Sequence, residues 1–316
     1  MSPDAAARIV FFGSPDFAVP TLRALVEAGY RIGLVVTQPD RPAGRGGRLH
    51  PPPVKRVALE LGLPVFQPDT LRDDAALERL QAAHPDAFVI AAYGKILPQR
   101  ILDVPRRGSL NVHASLLPRW RGPSPVAAAI LAGDPETGVT IMEVTAKMDA
   151  GPIVAQRRVP ILPDDRTATL EPRLAAIGAE LLVEVLPGWL AGELRGIPQD
   201  DSQATYCPLL RKEDGHLAPS LDVVTAERAV RAYDPWPGAF VWYRGERLAI
   251  WQAHIALAPP QPLPAPGSVL VVERAPALAF RNGILVLDVV QRPGGRRLTG
   301  REFLNGERGQ LAPTFE

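Results

Sequence analysis

The stretch Ile9-Val10-Phe11-Phe12-Gly13-Ser14-Pro15-Asp16-Phe17 decides the fold. Two β-branched residues followed by two aromatics make an uninterrupted apolar run, which suits a strand covered on both faces, as strands of parallel sheets are. Gly13 and Pro15 break that pattern, and helix-compatible spacing resumes over residues 19–28. Strand, tight turn and helix in that order open a doubly wound α/β domain. The turn lacks G-x-G-x-x-G, so the usual cradle for a dinucleotide pyrophosphate is missing and a nicotinamide enzyme is disfavoured.

Downstream the alternation continues. Residues 32–37 and 64–66 read as strands, 53–61 and 75–83 as helices, and 87–94 as a buried strand ending at Tyr93-Gly94. The segment Gly108-Ser109-Leu110-Asn111-Val112-His113 is a further strand, in which Leu110 and Val112 face one way and Asn111 and His113 the other. An amide and an imidazole near the C-terminal end of such a strand depart from the apolar rule, and in open α/β sheets ligands bind at that end. Both side chains could also serve only to satisfy the backbone of the following loop. That loop, residues 115–123, is too rich in Pro and Gly for a helix. A helix over 126–132, a turn over 133–138 and a strand over 139–141 follow, leading to Met148-Asp149-Ala150-Gly151-Pro152, a loop able to return a carboxylate to His113. A strand over 152–161 and a long amphipathic helix over 167–190 close this part.

The words NVHASLLPRWRGPSP (111–125), GDPETGVTIM (133–142) and MDAGPI (148–153) resemble the formyltransferases that use 10-formyltetrahydrofolate. The resemblance implies a Rossmann-like, mostly parallel sheet, with Asn111, His113 and Asp149 as the catalytic trio. It further implies folate contacts from Ser115, Leu116, Leu117 and Pro118, and from Tyr93, Gly94 and Ile96. The chemistry is consistent with those residue types. Formyl transfer to an amine passes through a tetrahedral carbon bearing an oxyanion, which needs aimed N–H donors such as the Asn111 amide and a protonated His113. Asp149 beside them would pair with the imidazolium and relay the amine's proton through a water. The scheme requires no metal.

Between the second strand and the next helix lies TQPDRPAGRGGR (37–48), basic and Gly-rich. As composition it reads as a solvated loop. It is also similar to an insertion in those family members that act on methionine-charged initiator tRNA, which implies that Arg41, Arg45 and Arg48 meet phosphates.

The chain has 316 residues, 46% of them hydrophobic, enough for a sizeable core and two domains. A net charge of +1 leaves nucleic-acid binding to local patches. A single cysteine, Cys207, cannot form an internal disulfide, consistent with a reducing compartment. No basic-then-apolar leader and no apolar run of membrane-spanning length is expected, so a soluble cytoplasmic protein follows, with no membrane or obligate protein partner.

Polar, irregular residues 196–205 read as a linker between a catalytic domain, 1–195, and a second domain, 206–316. The second domain contains a helix over 226–233 and strand-like runs at 240–243, 248–251, 269–272 and 283–287, spaced as in a small β-barrel. The family resemblance, which extends from Ile9 to Phe303, implies an OB-like barrel here, and a tRNA-contacting role for Arg296 and Arg297 within RPGGRRLTGREF (292–303). Residues 306–316 are expected to lack order. The implied activity is transfer of the formyl group of 10-formyltetrahydrofolate to methionine on initiator tRNA. The alternatives are a small amine acceptor (glycinamide ribonucleotide or an amino sugar) and a non-catalytic tRNA-binding protein.

Overall fold

The computed structural model describes residues 7–43, 48–308 and 310–316. The chain opens with β1 (Arg8–Gly13), α1 (Val19–Glu27) and β2 (Arg31–Val36), followed by a two-stranded hairpin of β3 (Arg41–Ala43) and β4 (Arg48–His50). Next come α2 (Pro53–Glu60), β5 (Val65–Phe66), α3 (Asp74–Gln81), β6 (Ala87–Ala91), α4 (Gln99–Leu102) and β7 (Ser109–His113). They are followed by α5 (Pro125–Ala132), β8 (Glu136–Glu143), β9 (Ile153–Pro160) and α6 (Thr167–Ala191).

Seven of these strands form one sheet in the order β5-β2-β1-β6-β7-β8-β9. Pairing is parallel from β5 to β7, while β8 runs antiparallel to β7 and β9 antiparallel to β8. The chain adds strands to one side of β1 and then returns to add β6 on the other. The order therefore reverses between β1 and β6, and the crevice beyond their C-terminal ends is the topological switch point, where ligands bind in such sheets. Below it the core is aromatic. Phe12 meets Phe88 and Tyr93 edge-on, with ring centroids 4.9 and 5.3 Å away.

Sequence expectation and structure part at β8. The turn expected over 133–138 ends early, because Glu136, Thr137 and Gly138 already pair with β9. Gly138 is a site of close approach, where a Cβ would lie 2.2 Å from the Arg157 carbonyl oxygen and 2.6 Å from Leu116 Cδ2. A second difference concerns α6, which by length and composition is apolar enough to cross a membrane, contrary to the expectation that no such segment exists. It packs as a core helix: 56% of its apolar window is buried inside the protein, and a Cβ at Gly178 would lie 2.6 Å from Val112 Cγ1. That contact puts Val112 on the α6 side of the sheet and its strand neighbours Asn111 and His113 on the opposite face.

The remaining elements are α7 (Val223–Ala232), β10 (Ala239–Tyr243), β11 (Glu246–Ile255), β12 (Val269–Val272), β13 (Ala275–Phe280), β14 (Gly283–Gln291), β15 (Arg297–Thr299) and α8 (Gly300–Gly306). α7 starts at Asp222, whose carboxylate accepts from the Thr225 N–H at 2.9 Å, and α8 starts in a reciprocal capping box between Thr299 and Glu302. The strands form an antiparallel sheet in the order β10-β11-β14-β13-β12, with β15 on β14. The two outermost strands are joined by the tail that the sequence left without order. The Trp242 and Glu316 backbones exchange hydrogen bonds on one side, and Phe315 N–H and Val269 N–H bond the Gly267 and Pro313 carbonyls on the other. Phe315 is buried and packs on Phe280, ring centroids 5.4 Å apart.

The chain divides into two compact units. The first holds the described residues of Met1–Pro125 with Glu136–Pro160 and Glu171–Pro208, and the second holds Val126–Pro135, Ile161–Leu170 and Leu209–Glu316. Two short segments that precede Glu171 in the sequence thus belong to the second unit. Within the second unit, Arg228 Nη1 donates to the Ala132 carbonyl at 3.1 Å, and the guanidinium lies where a Cβ at Gly133 would sit. Phe315→Ala removes the buried ring that anchors the tail. It is expected to cost ~3–5 kcal/mol of unfolding free energy, read by denaturant titration.

Candidate active site

Two loops converge at the C-terminal end of β7. One follows β7 itself. The other follows β8, which pairs with β7 so that His113 lies opposite Thr140 and Asn111 opposite Met142. His113 is buried, and its Nε2 lies 3.1 Å from the Trp120 carbonyl oxygen. A carbonyl only accepts, so Nε2 carries a proton in this contact. The other ring nitrogen, Nδ1, lies 3.8 Å from Asp149 Oδ2, near enough for charge pairing and beyond direct hydrogen-bond length. Asp149 Oδ2 in turn accepts from the Gly122 N–H at 2.8 Å. Asn111 is half-buried, and no other described residue hydrogen-bonds its side-chain amide. Hence His113 and Asp149 come together and Asn111 shares the His113 face of β7, with one difference from expectation: the ring nitrogen that carries the proton already has a carbonyl partner, which leaves the Asn111 amide as the N–H donor without a hydrogen-bond partner among the described residues.

The 115–118 loop is held from below. Thr140 Oγ donates to the Ser115 carbonyl at 2.6 Å and accepts from the Leu117 N–H at 3.1 Å, while Gln156 Nε2 donates to both the Leu117 carbonyl and Thr140 Oγ. Ser115 is fully buried and its hydroxyl donates to the Arg119 carbonyl, Leu117 is buried, and Leu116 lies over Gly138. Of the four residues expected at a folate, Leu116 and Pro118 are half-buried and Ser115 and Leu117 are buried.

The switch-point crevice is a cavity of about 560 Å³ whose lining includes Ser14, Gln38, Arg41, Tyr93, Gly94 and Lys95. Ser14 and Gln38 side chains both donate to the Tyr93 carbonyl, at 3.5 and 3.1 Å. The Tyr93 ring belongs to the core, where burial pushes its phenol up to about 12. What Tyr93 presents to the cavity is its backbone, followed by Gly94 in the left-handed region at φ +81 and by the exposed Ile96. Arg41 is exposed and has no acidic partner among the described residues, whereas the neighbouring Asp40 is clamped by Gln67 at 2.7 Å and Lys55 at 2.8 Å. Arg45 and the side chain of Arg48 lie outside the described residues.

In the second unit, Arg296 is paired with Glu302 at 2.9 Å and Arg297 stacks on Trp251, 3.8 Å from the ring centroid. Both remain near one another on β15 and the turn before it, yet neither is an unengaged cation. Among the described residues no group of three or more His, Cys, Asp and Glu side chains is arranged to hold a metal ion.

Sequence reasoning missed the residues that brace this site: Ser14, Gln38, Thr140 and Gln156. Each is a single polar residue within a strand or at its end, and its role depends on strand pairing that no local pattern reveals.

An amide, an imidazole and a carboxylate at the C-terminal end of β7 have the chemistry that group transfer needs. The family described as formyl transferase matches residues 7–186, and the formyl transferase C-terminal domain matches 209–308. The chain belongs to the formyl transferase family. It is 49% identical over 298 residues to the methionyl-tRNA formyltransferase of Methylococcus capsulatus, covering 94% of this chain and 96% of that one. To the methionyl-tRNA formyltransferase of Chloroflexus aggregans it is 50% identical over 301 residues, 95% of this chain and 97% of that one. A crystal structure of HypX from Aquifex aeolicus in complex with tetrahydrofolic acid is similar in fold, with a TM-score of 0.64 and 21% identity over 95% of this chain and 47% of that one.

Gly122 offers a direct check on the geometry. Its φ is +121, and a Cβ there would lie 2.2 Å from the Cys207 carbonyl oxygen. Gly122→Ala is expected to destabilise the fold by about 1–3 kcal/mol and to move the N–H that holds Asp149. A thermal melt reads the first effect and a turnover assay the second.

Proposed function

We propose that the chain transfers the formyl group of 10-formyltetrahydrofolate to the α-amine of methionine on initiator tRNA, giving N-formylmethionyl-tRNA for translation initiation. The observation that carries this is near end-to-end identity of about one half with methionyl-tRNA formyltransferases, in a chain whose Asn111, His113 and Asp149 converge. When bound, the folate supplies a formyl carbon on a nitrogen leaving group. Asn111 is the donor with no competing partner, and it takes the charge that develops on the formyl oxygen as the amine adds. The His113–Asp149 pair accepts the proton that the amine sheds and provides one for the departing nitrogen. Backbone groups at Tyr93 and Gly94, with Ile96 and the 115–118 loop, line the folate side.

Arg41, with Arg45 and Arg48 of the same basic segment, binds phosphates of the acceptor end. Arg41 rims the switch-point cavity on a base fixed by Lys55 and Gln67. The second unit adds backbone affinity, to which Arg296 and Arg297 contribute by exchanging weak surface contacts for phosphate. A cytoplasmic location follows from such a substrate. A small acceptor, glycinamide ribonucleotide or an amino sugar, would use the same trio but leave the hairpin and the second unit without a role.

The test offers 10-formyltetrahydrofolate with charged initiator tRNA, charged elongator tRNA and glycinamide ribonucleotide in parallel. Fast transfer to the initiator alone is expected, and transfer confined to the small amine would overturn the assignment. In the same assay, Arg41→Ala is expected to raise KM for tRNA and to lower the slope of log affinity against log salt by about 0.9. An unchanged slope would remove Arg41 from the phosphate contacts.

A further inference from the structure

Residues 197–207, read from sequence chiefly as a linker, run along the two loops of the candidate active site. Ile197 forms an antiparallel bridge with Ile153. Further on, Thr205 Oγ accepts from the Trp120 N–H at 2.9 Å, and the Arg121 N–H donates to the Thr205 carbonyl at the same distance. Between these points Gln199 reaches the second loop: its Nε2 donates to the Asp149 carbonyl at 2.8 Å and to the Gly151 carbonyl at 2.7 Å.

The orientation of that amide is fixed from behind. Arg121, 2% exposed, donates to Gln199 Oε1 through Nε at 3.0 Å and through Nη2 at 2.8 Å. A guanidinium only donates, so the oxygen of Gln199 must face Arg121 and its nitrogen must face the carbonyls. The loop being held is itself strained. Asp149 has φ +49, the left-handed region that a non-glycine residue occupies only where its surroundings hold it. Arg121 meanwhile carries a buried charge whose acidic partner, Asp201 at 2.7 Å, has a 68% exposed side chain. Such a pair contributes little to stability, and an apolar side chain would fill the space at lower desolvation cost.

We propose that Gln199 and Arg121 are positioning residues for formyl transfer. Arg121 orients the Gln199 amide, which holds Asp149 in its left-handed turn, so that the carboxylate meets the Gly122 N–H and faces His113. The proposal rests on the assignment of Asp149 to the proton-transfer step.

The experiment is a double-mutant cycle on single-turnover formyl transfer to charged initiator tRNA, combining Gln199→Met with Asp149→Asn. Gln199→Met is expected to lower the rate about tenfold, with KM for both substrates nearly unchanged, and to cause no further loss in the Asp149→Asn background. Equal losses in both backgrounds, or a loss confined to KM, would overturn the positioning role. If Asp149→Asn alone keeps the full rate, the assignment beneath the proposal fails and the proposal goes with it. Should thermal melts show that Gln199→Met does not fold, Gln199→Glu takes its place. That variant keeps an acceptor for Arg121 and loses the donor to Asp149 and Gly151, so the same loss and the same coupling are expected, and a wild-type rate would contradict them.

Discussion

The hydrogen bond from the Gly122 N–H to the Asp149 carboxylate is the constraint on which the site depends. It joins two loops that are distant in sequence, one following β7 and the other following its antiparallel neighbour β8. The sheet pairing brings the loops within reach, and the single bond sets which way the carboxylate points. Because Gly122 closely follows Trp120, whose carbonyl holds His113, the same short turn places both His113 and Asp149. A partly buried, charge-assisted bond of this kind is stronger than a neutral one and gives direction as well as energy.

Beyond the trio, the chain separates tasks by location. The switch point between β1 and β6 supplies a cavity, and the hairpin of β3 and β4 brings Arg41 to its rim. Hydrogen bonds from Gln67 and Lys55 hold the Asp40 carboxyl below the usual carboxylate range, which marks the base of the hairpin as fixed even though Arg41 itself is exposed. In the second unit the arginines have partners of their own. A contact to nucleic acid there would exchange one set of surface interactions for another and so would favour register over large gains in affinity.

Much of the first unit was legible because apolar runs and Gly/Pro punctuation coincide with its strands and turns: β1, β6 and β7 fall on the stretches 9–12, 87–94 and 108–113 that read as strands, with β6 ending at Ala91. Asn111 and His113 stood out as polar residues where apolar ones belong, and Asp149 as a loop carboxylate able to reach them. Harder to read was anything that depends on contact between distant segments. β13, with the sequence Ala-Pro-Ala-Leu-Ala-Phe, has little β-propensity of its own and becomes a strand by pairing on both sides. Residues 310–316 look like a frayed end, yet they join the outer strands of the second sheet. Gln199 carries no local signal at all, because its two acceptors are backbone carbonyls some fifty residues earlier in the chain. In the arginine-rich segment, composition does not show that Arg296 and Arg297 are engaged in space by Glu302 and Trp251.

The most direct test of the chemistry is the single-turnover rate of formyl transfer by His113→Ala with both substrates saturating, set beside tetrahydrofolate binding by the same variant. A fall of ~10² to 10⁴ in rate with binding preserved is the expected result for a proton-transfer group. A rate close to that of the unaltered chain would contradict the account, because the two loops would then have brought His113 and Asp149 together for stability alone.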